Sequence, residues 1–307
     1  ALGFPNNDKY IANNAIKVSE TYLKPLYDRL VKELKKEAVT HMDETPLRVL
    51  EEHTSTSYLW AARSTTEFNR HNIMIFHYAN TRSGRIISEI VGKDYQGTII
   101  PDGYSAYSNN RYPEFKFGAC LVHIRREFID IVKGLRKENL TSSKAVGAIQ
   151  KLGVVFDTEK RLIYHTKEEK REQRQLKLRP RLDKFYSFIS EVKNPMGRLK
   201  AAIENALNQR QRVYRIFEDG QIPLSNNPIE QMIRPTTLIR KNSLFARTIR
   251  GARANAIYCT LVATAKLNGL NVYKYLEYLF SRLPNRENED IGAYLPWTKE
   301  VQEHCHA

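Results

Sequence analysis

Ala38-Val39-Thr40-His41-Met42-Asp43-Glu44-Thr45-Pro46 is the stretch on which the fold turns. Its first six residues alternate, with Val39, His41 and Asp43 on one face of a strand. Pro46 is a poor residue for continuing a strand, so the spacing predicts that this one ends at Asp43. An acid there is either a turn residue or a functional group, and Glu44 faces the other way if the strand persists.

Working outward, Tyr58 to Ala62 and Ile73 to Tyr78 read as two further strands, the second rich in β-branched and aromatic residues. Ser83 to Val91 carries Ile86, Ile87, Ile90 and Val91 at helical spacing. Thr98 to Ile100 is a fourth strand, ended by Pro101-Asp102-Gly103, and a short helix is expected from Tyr104 to Asn109. Gly118 to Val122 is a fifth strand, followed by a helix containing Phe128, Ile129 and Val132. The order is β-β-β-α-β-α-β-α. Three strands with short connections are expected to be antiparallel, and later ones separated by helices parallel. This is an α/β chain with the mixed order of a ribonuclease H-like sheet.

The remaining segments are helical. Ala15 to Glu37 is amphipathic through Val18, Tyr22, Leu26, Leu30 and Leu34, with Pro25 either kinking the helix or starting it. Lys133 to Glu218 shows no strand pattern; Glu159 to Lys184 is so charged that a solvated helix or hairpin is expected. Pro228 opens another helix, Ala252 to Asn268 is a further one capped by Gly269, and Asn271 to Leu283 is stopped by Pro284. The predicted organisation is an N-terminal helical segment (1–37), a first core part (38–132), a large helical insertion (133–222), a helical, basic last core part (223–284) and a polar tail (285–307) in which His304-Cys305-His306 is frayed.

Forty-nine Lys and Arg face 34 Asp and Glu, a net charge of +15, which calls for a polyanionic partner. The excess is uneven. From Gln231 to Leu276 there is no acid, while Arg234, Arg240, Lys241, Arg247, Arg250 and Arg253 are interleaved with Asn242, Phe245 and Gly251, a pattern suited to phosphate contact. No apolar run is long enough to span a membrane, and no basic amphipathic helix offers a membrane-surface alternative. The chain opens on Ala1-Leu2-Gly3 without Met or a signal peptide, as a fragment or processed chain would. Three scattered cysteines, Cys120, Cys259 and Cys305, predict buried thiols in a reducing cytosol rather than disulfides.

Phosphodiester chemistry asks for acids brought together at element ends, where hard divalent cations can be held. Three candidates stand out. Asp43 and Asp102 follow apolar strand segments, although Asp102-Gly103 is also an ordinary turn pair. Glu230 follows Asn227, an N-cap, and Pro228, a first helical residue; it would sit third in the helix, where a capping-box glutamate also belongs, and Arg234 one turn on can pair with it.

Taken together, the chain resembles transposases of the insertion sequence 66 family. The resemblance is carried by His41-Met42-Asp43-Glu44-Thr45-Pro46; by Asp102-Gly103-Tyr104 with Tyr107; by Cys120 with His123, Arg125, Arg126 and Phe128; by Asn226-Asn227, Glu230, Arg234-Pro235, Arg240-Lys241-Asn242, Leu244-Phe245 and Gly251; and by the run Thr264 to Gly269 and Leu295-Pro296-Trp297. It spans roughly Tyr22 to Trp297 and implies a ribonuclease H-like core with a DDE triad. Carried over by position, the triad is Asp43, Asp102 and Glu230, binding two Mg²⁺ or Mn²⁺ ions for strand cleavage and strand transfer on double-stranded DNA at transposon ends, by a homodimer or higher oligomer. His123, Arg125 and Arg126 are expected at phosphate or a carboxylate, or else as a helix start. The family's preceding zinc-binding and helix-turn-helix regions have no counterpart here beyond a remnant near Leu2 to Asn14, so weak sequence preference is expected. A DNA-binding remnant without catalysis, and a metal-dependent nuclease that never joins ends, are the rival readings.

Overall fold

The computed structural model describes residues 7–53, 56–69, 71–101, 107, 112–136, 138, 141, 143–233, 246–286 and 289–307. In chain order the elements are α1 (Asp8–Val18), α2 (Lys24–Leu34), β1 (Val39–Leu47), β2 (Ser57–Ser64), β3 (Met74–Ala79), α3 (Arg85–Val91), β4 (Thr98–Ile100), β5 (Lys116–Phe117), α4 (Leu121–Lys133), α5 (Lys144–Lys160), α6 (Lys167–Gln173), α7 (Arg179–Ser190), α8 (Gly197–Asn208), α9 (Arg210–Tyr214), α10 (described over 227–233), α11 (Ile249–Leu267), α12 (Val272–Arg282) and α13 (Lys299–Cys305). The chain is α/β and divides into two compact units, residues 1–97 with 227–307, and residues 98–226. The helix expected at Tyr104 to Asn109 lies outside the described residues apart from Tyr107.

In the first unit β1, β2 and β3 form an antiparallel sheet in the order β3-β2-β1. The outer edge of β3 is capped by a helix. Thr260 Oγ1 accepts the Phe76 amide (2.8 Å), Thr264 Oγ1 accepts the Met74 amide (3.2 Å) and donates to the Met74 carbonyl (2.9 Å), and Asn268 Nδ2 donates to the Asn72 carbonyl (2.7 Å). These three side chains lie four apart along α11 and at its C-terminal end, so one helix face serves alternate strand residues. Gly269 then ends the helix with φ +74°, a conformation glycine adopts without strain.

That edge contact also explains why β1 does not stop at Asp43. Met74 and Phe76 turn their main-chain groups toward α11, so on β2 their partners Arg63 and Ala61 turn theirs toward β1. Those bond His41 and Asp43, and the main-chain groups of Met42, Glu44 and Pro46 point away from β2. Pro46 therefore costs this ladder no donor, and the strand runs on to Leu47.

The N-terminal helical region departs from a single helix in a similar way. A π-helical turn, Ser19–Leu23, precedes Pro25 and lets the chain pass the missing amide. The extra residue in that turn shifts the apolar stripe, so that Leu23, not Tyr22, is buried with Leu26, Leu30 and Leu34. Beyond α2, Tyr95 hydroxyl donates to the Glu37 carbonyl (2.8 Å) and lies 2.8 Å from Thr40 Oγ1. Gly97 packs against this corner; a Cβ there would sit 2.3 Å from the Tyr95 hydroxyl. The C-terminal residues are folded rather than a loose tail: α13 buries Val301 and Cys305, and Tyr275 hydroxyl donates to the Tyr294 carbonyl (2.8 Å).

In the second unit β4 and β5 pair in parallel. The fifth strand is Lys116–Phe117 rather than Gly118 to Val122, because α4 already begins at Leu121. Among the described residues between 133 and 218 there is no strand. The charged stretch there is not wholly solvated. Arg174, fully buried, donates through Nη2 to Glu159 Oε1 (2.5 Å) and through Nη1 to the carbonyls of Ile216, Gly220 and Ile222 (3.2, 3.2 and 2.9 Å). A guanidinium carries enough donors to be buried when each finds an acceptor, which is what this loop supplies. Phe128, Phe185, Tyr186, Tyr214 and Phe217 form a chain of ring contacts in the same unit, edge to face except for the tilted Tyr186–Tyr214 pair. Among the described residues no helix is long and apolar enough to cross a membrane.

Two outcomes follow from this packing. Thr264→Val keeps the side-chain shape but leaves a buried amide and carbonyl of Met74 without a partner, and should lower unfolding free energy by about 1–3 kcal/mol in urea titrations. The Glu37 carboxyl is pushed up to about 7 by burial, against the hydrogen bond from Asn69. A raised acid contributes stability below its unfolded value near 4.5 and loses it as pH rises through about 7. Melting points of Glu37→Gln should therefore match the parent at pH 4 and exceed it at pH 8.

Candidate active site

Asp43 lies in mid-β1, half-buried, opposite Ala61, which in turn lies opposite Phe76. Residues opposite one another in a sheet share a face, so Asp43 belongs to the face of Ala61 and Phe76. The same face is covered by α10 and α11: Ile229, Ile233, Ala252, Ala256 and Ala263 cluster there with Leu59, Ala61, Met74 and Phe76. Asp43 Oδ1 accepts the Glu44 amide at 2.8 Å, which fixes how the carboxylate is turned.

Glu230 is carried by α10, one residue after Ile229. The helix starts at 227, one residue earlier than the sequence pattern predicts, so Glu230 is its fourth residue rather than its third. Its Oε1 is buried. Two of the three expected acids thus stand on elements packed over one sheet face. Asp102 lies outside the described residues, which end at Pro101 just past β4. Among the described residues no group of three or more His, Cys, Asp and Glu side chains is close enough to hold a metal ion.

The Glu44 side chain is turned elsewhere. It sits on the opposite face, buried, with Arg82 Nε 2.6 Å from its Oε1. The alternation of β1 therefore sends the two adjacent acids in opposite directions.

Sequence reasoning missed Arg63. It is buried in β2, and its Nη1 donates to the Pro228 carbonyl at 2.7 Å, tying the first turn of α10 to the sheet. Burial holds its pKa below the usual guanidinium value. Its signal was an arginine set among Leu59-Trp60-Ala61-Ala62, a strand with no other charge.

The basic residues divide into three groups. Arg234, Arg240 and Lys241 lie outside the described residues. The segment holding them is flanked by Ile233 in the core and by Ala246, whose amide donates to the Arg48 carbonyl (2.9 Å) and whose carbonyl accepts the Leu50 amide (3.0 Å). Arg247, Arg250 and Arg253 are exposed, and Arg250 is bound through Nε and Nη2 to Glu20 (2.8 and 2.6 Å), which draws that carboxyl below its ordinary value. His123, Arg125 and Arg126 lie on α4 of the second unit, with Arg126 exposed and Arg125 over the Phe156 ring. His123 is bonded to Cys120. Burial pushes that thiol up, but the His123 hydrogen bond and charge and the Asn226 amide (3.2 Å) outweigh it and hold the thiol below its usual value. Cys259 is instead pushed up to about 11 by burial.

Replacing Arg63 by Ala removes a charged donor to the Pro228 carbonyl and should cost about 1.5–3 kcal/mol in urea unfolding. Arg63→Lys should recover part of that loss, since an ammonium can still donate to one carbonyl.

Comparison with known proteins gives the family. A family model described as "Transposase IS66 family" matches residues 1–254, and one described as "IS66 C-terminal element" matches residues 260–297. Two uncharacterized proteins of Sinorhizobium fredii, y4jD and y4qI, are each 27% identical over 296 and 293 residues, covering 90% of this chain. The matches take in 56% and 53% of those relatives, so the chain spans about half the length of the curated relatives it matches. With the family matching most of its length, the chain belongs to the IS66 transposase family.

Proposed function

We propose that this chain is the catalytic part of a DDE-type transposase, cutting DNA at transposon ends and joining the freed ends to target DNA. Asp43, Asp102 and Glu230 are the triad, and the core is ribonuclease H-like. The observation that carries the reading is that Asp43 and Glu230 stand on elements packed over one face of one sheet. Carboxylate oxygens are the donors that hard divalent cations prefer, so the acids fit Mg²⁺ or Mn²⁺. With two such ions held there, the site gains the charge to activate the attacking oxygen and to stabilise the leaving one.

The chain's own residues do the rest. Asp43 is pre-turned by the Glu44 amide, and Arg63 ties to the sheet the first turn of the helix that carries Glu230, which reduces what must be ordered when substrate arrives. Arg234, Arg240, Lys241, Arg247 and Arg253 hold the DNA backbone, joined by Arg250 if Glu20 releases it. His123, Arg125 and Arg126 contact phosphate from the second unit. The protein acts on double-stranded DNA as a homodimer or larger assembly.

Asp43→Asn and Glu230→Gln should each reduce Mg²⁺-dependent nicking of a plasmid to background while leaving DNA affinity intact or higher. An Asp43→Asn protein that nicks at the parent's rate removes Asp43 from the triad. Products resolved on a denaturing gel separate strand transfer from simple hydrolysis. Arg240→Ala with Lys241→Ala should make the dependence of log affinity on log salt shallower by about 2, with sequence preference unchanged.

A further inference from the structure

A net +10, equal in size to two thirds of the chain's +15, lies in residues 133–226, outside the basic stretch that the proposed site uses. Residues 133–226 hold 21 Lys and Arg against 11 Asp and Glu. Much of that charge is spent internally: Arg174 and Lys170 face Glu159, Lys200 faces Glu204, Lys133 faces Asp130, and Arg215 faces Glu218. One group is not. Arg161, Lys177 and Arg181 line a cleft of about 460 Å³ together with Val154, Asp157 and Thr158. All three cations are exposed, and among the described residues none has a carboxylate within 4.0 Å.

The chemistry of the lining decides what it can hold. Three cations against one acid favour an anion. Thr158 Oγ1 already donates to the Val154 carbonyl (2.7 Å), so the hydroxyl has no proton left for a ligand oxygen. No aromatic ring lines the cleft, so there is no platform on which a base can stack. What remains is recognition of phosphate by charge, by the guanidinium fork of Arg161 and by the donors that Arg181 keeps beside its Nη1 bond to the Lys177 carbonyl.

We infer that this cleft on the helical unit is a second DNA contact, gripping the phosphate backbone of a duplex without reading its sequence. The inference rests on the proposed function for the identity of the polyanion. It adds a contact formed by α5 and α7 with the turn between α6 and α7, elements to which that reading gives no role.

The test is duplex binding by the full chain, followed by fluorescence anisotropy from low to high salt. Arg161→Ala, Lys177→Ala and Arg181→Ala are combined in one variant. A second variant combines Lys144→Ala, Lys193→Ala and Lys200→Ala, exposed cations elsewhere on the same unit. Circular dichroism melts check that both fold. The cleft variant should show a slope of log affinity on log salt shallower by about 2 to 3, while the control changes by less than about 1. Sequence preference should be unaltered. If the parent binds DNA and the cleft variant keeps its slope, or if both variants change equally, the cleft is not the contact and the proposed function still stands. If the parent has no DNA affinity even at low salt, the proposed function itself fails. A shallower slope with an RNA duplex but not with DNA overturns the assignment to DNA.

Discussion

A strand at the edge of a sheet exposes a row of amides and carbonyls that must find partners, and in this protein a helix supplies them. Four residues of helix advance about 6 Å, and two residues of strand about 6.8 Å. A helix lying beside a strand can therefore offer one polar side chain per turn to every second strand residue for a few rungs before the repeats drift apart. Thr260, Thr264 and Asn268 make three such rungs against Phe76, Met74 and Asn72. One turn earlier the residue is Ala256, which has nothing to offer Tyr78, and there a cavity of about 620 Å³ opens among Tyr78, His77 and Arg253. Seating α11 this way brings its alanines onto the sheet, and α10 packs in the same cluster. The placement of Glu230 descends from that contact.

Buried arginines do comparable work in both units. Arg63 donates to the Pro228 carbonyl, and Arg174 to three carbonyls of one loop. The acceptors of Arg174 are carbonyls that a loop leaves over, whereas the Pro228 carbonyl, in the first turn of α10, has a second lone pair to offer Arg63 beside its place in the helix. A lysine offers fewer donors and no planar fork, and could not span the three carbonyls that Arg174 reaches.

The parts of this architecture that were legible from sequence are those in which local pattern and tertiary demand agree. Thr98 to Ile100 is a strand with the predicted bounds, and Ile73 to Tyr78 is displaced by one residue, because apolar β-branched runs fit a buried sheet wherever they fall. Glu44 opposes Asp43 because strand alternation is geometric. What could not be read depended on a partner distant in sequence. Pro46 is tolerated because of which way β2 turns its amides, a choice set by α11 some two hundred residues later. The buried charges of Lys170 and Arg174 looked like a solvated face because Glu159 and the loop at 216–222 are not their neighbours in the chain. At the candidate site the face that Asp43 takes was legible from strand alternation, although its place in mid-strand was not; the clamp on Pro228 was not legible either, since it is one hydrogen bond between residues 165 positions apart.

The first unit is assembled from two stretches of chain separated by the whole of the second. A ribosome makes the three strands first, then some 130 residues of the other unit, and only afterwards the helix that closes the β3 edge. The second unit is continuous in the chain. Through that interval the outer row of β3 has no α11 to bond, and a nascent chain with an open strand edge is at its most exposed to pairing with a copy of itself. The spacing of Asn72 and Asn268 along the polypeptide thus sets a waiting time, and slow translation or a held nascent chain would lengthen the period in which this protein is prone to aggregate.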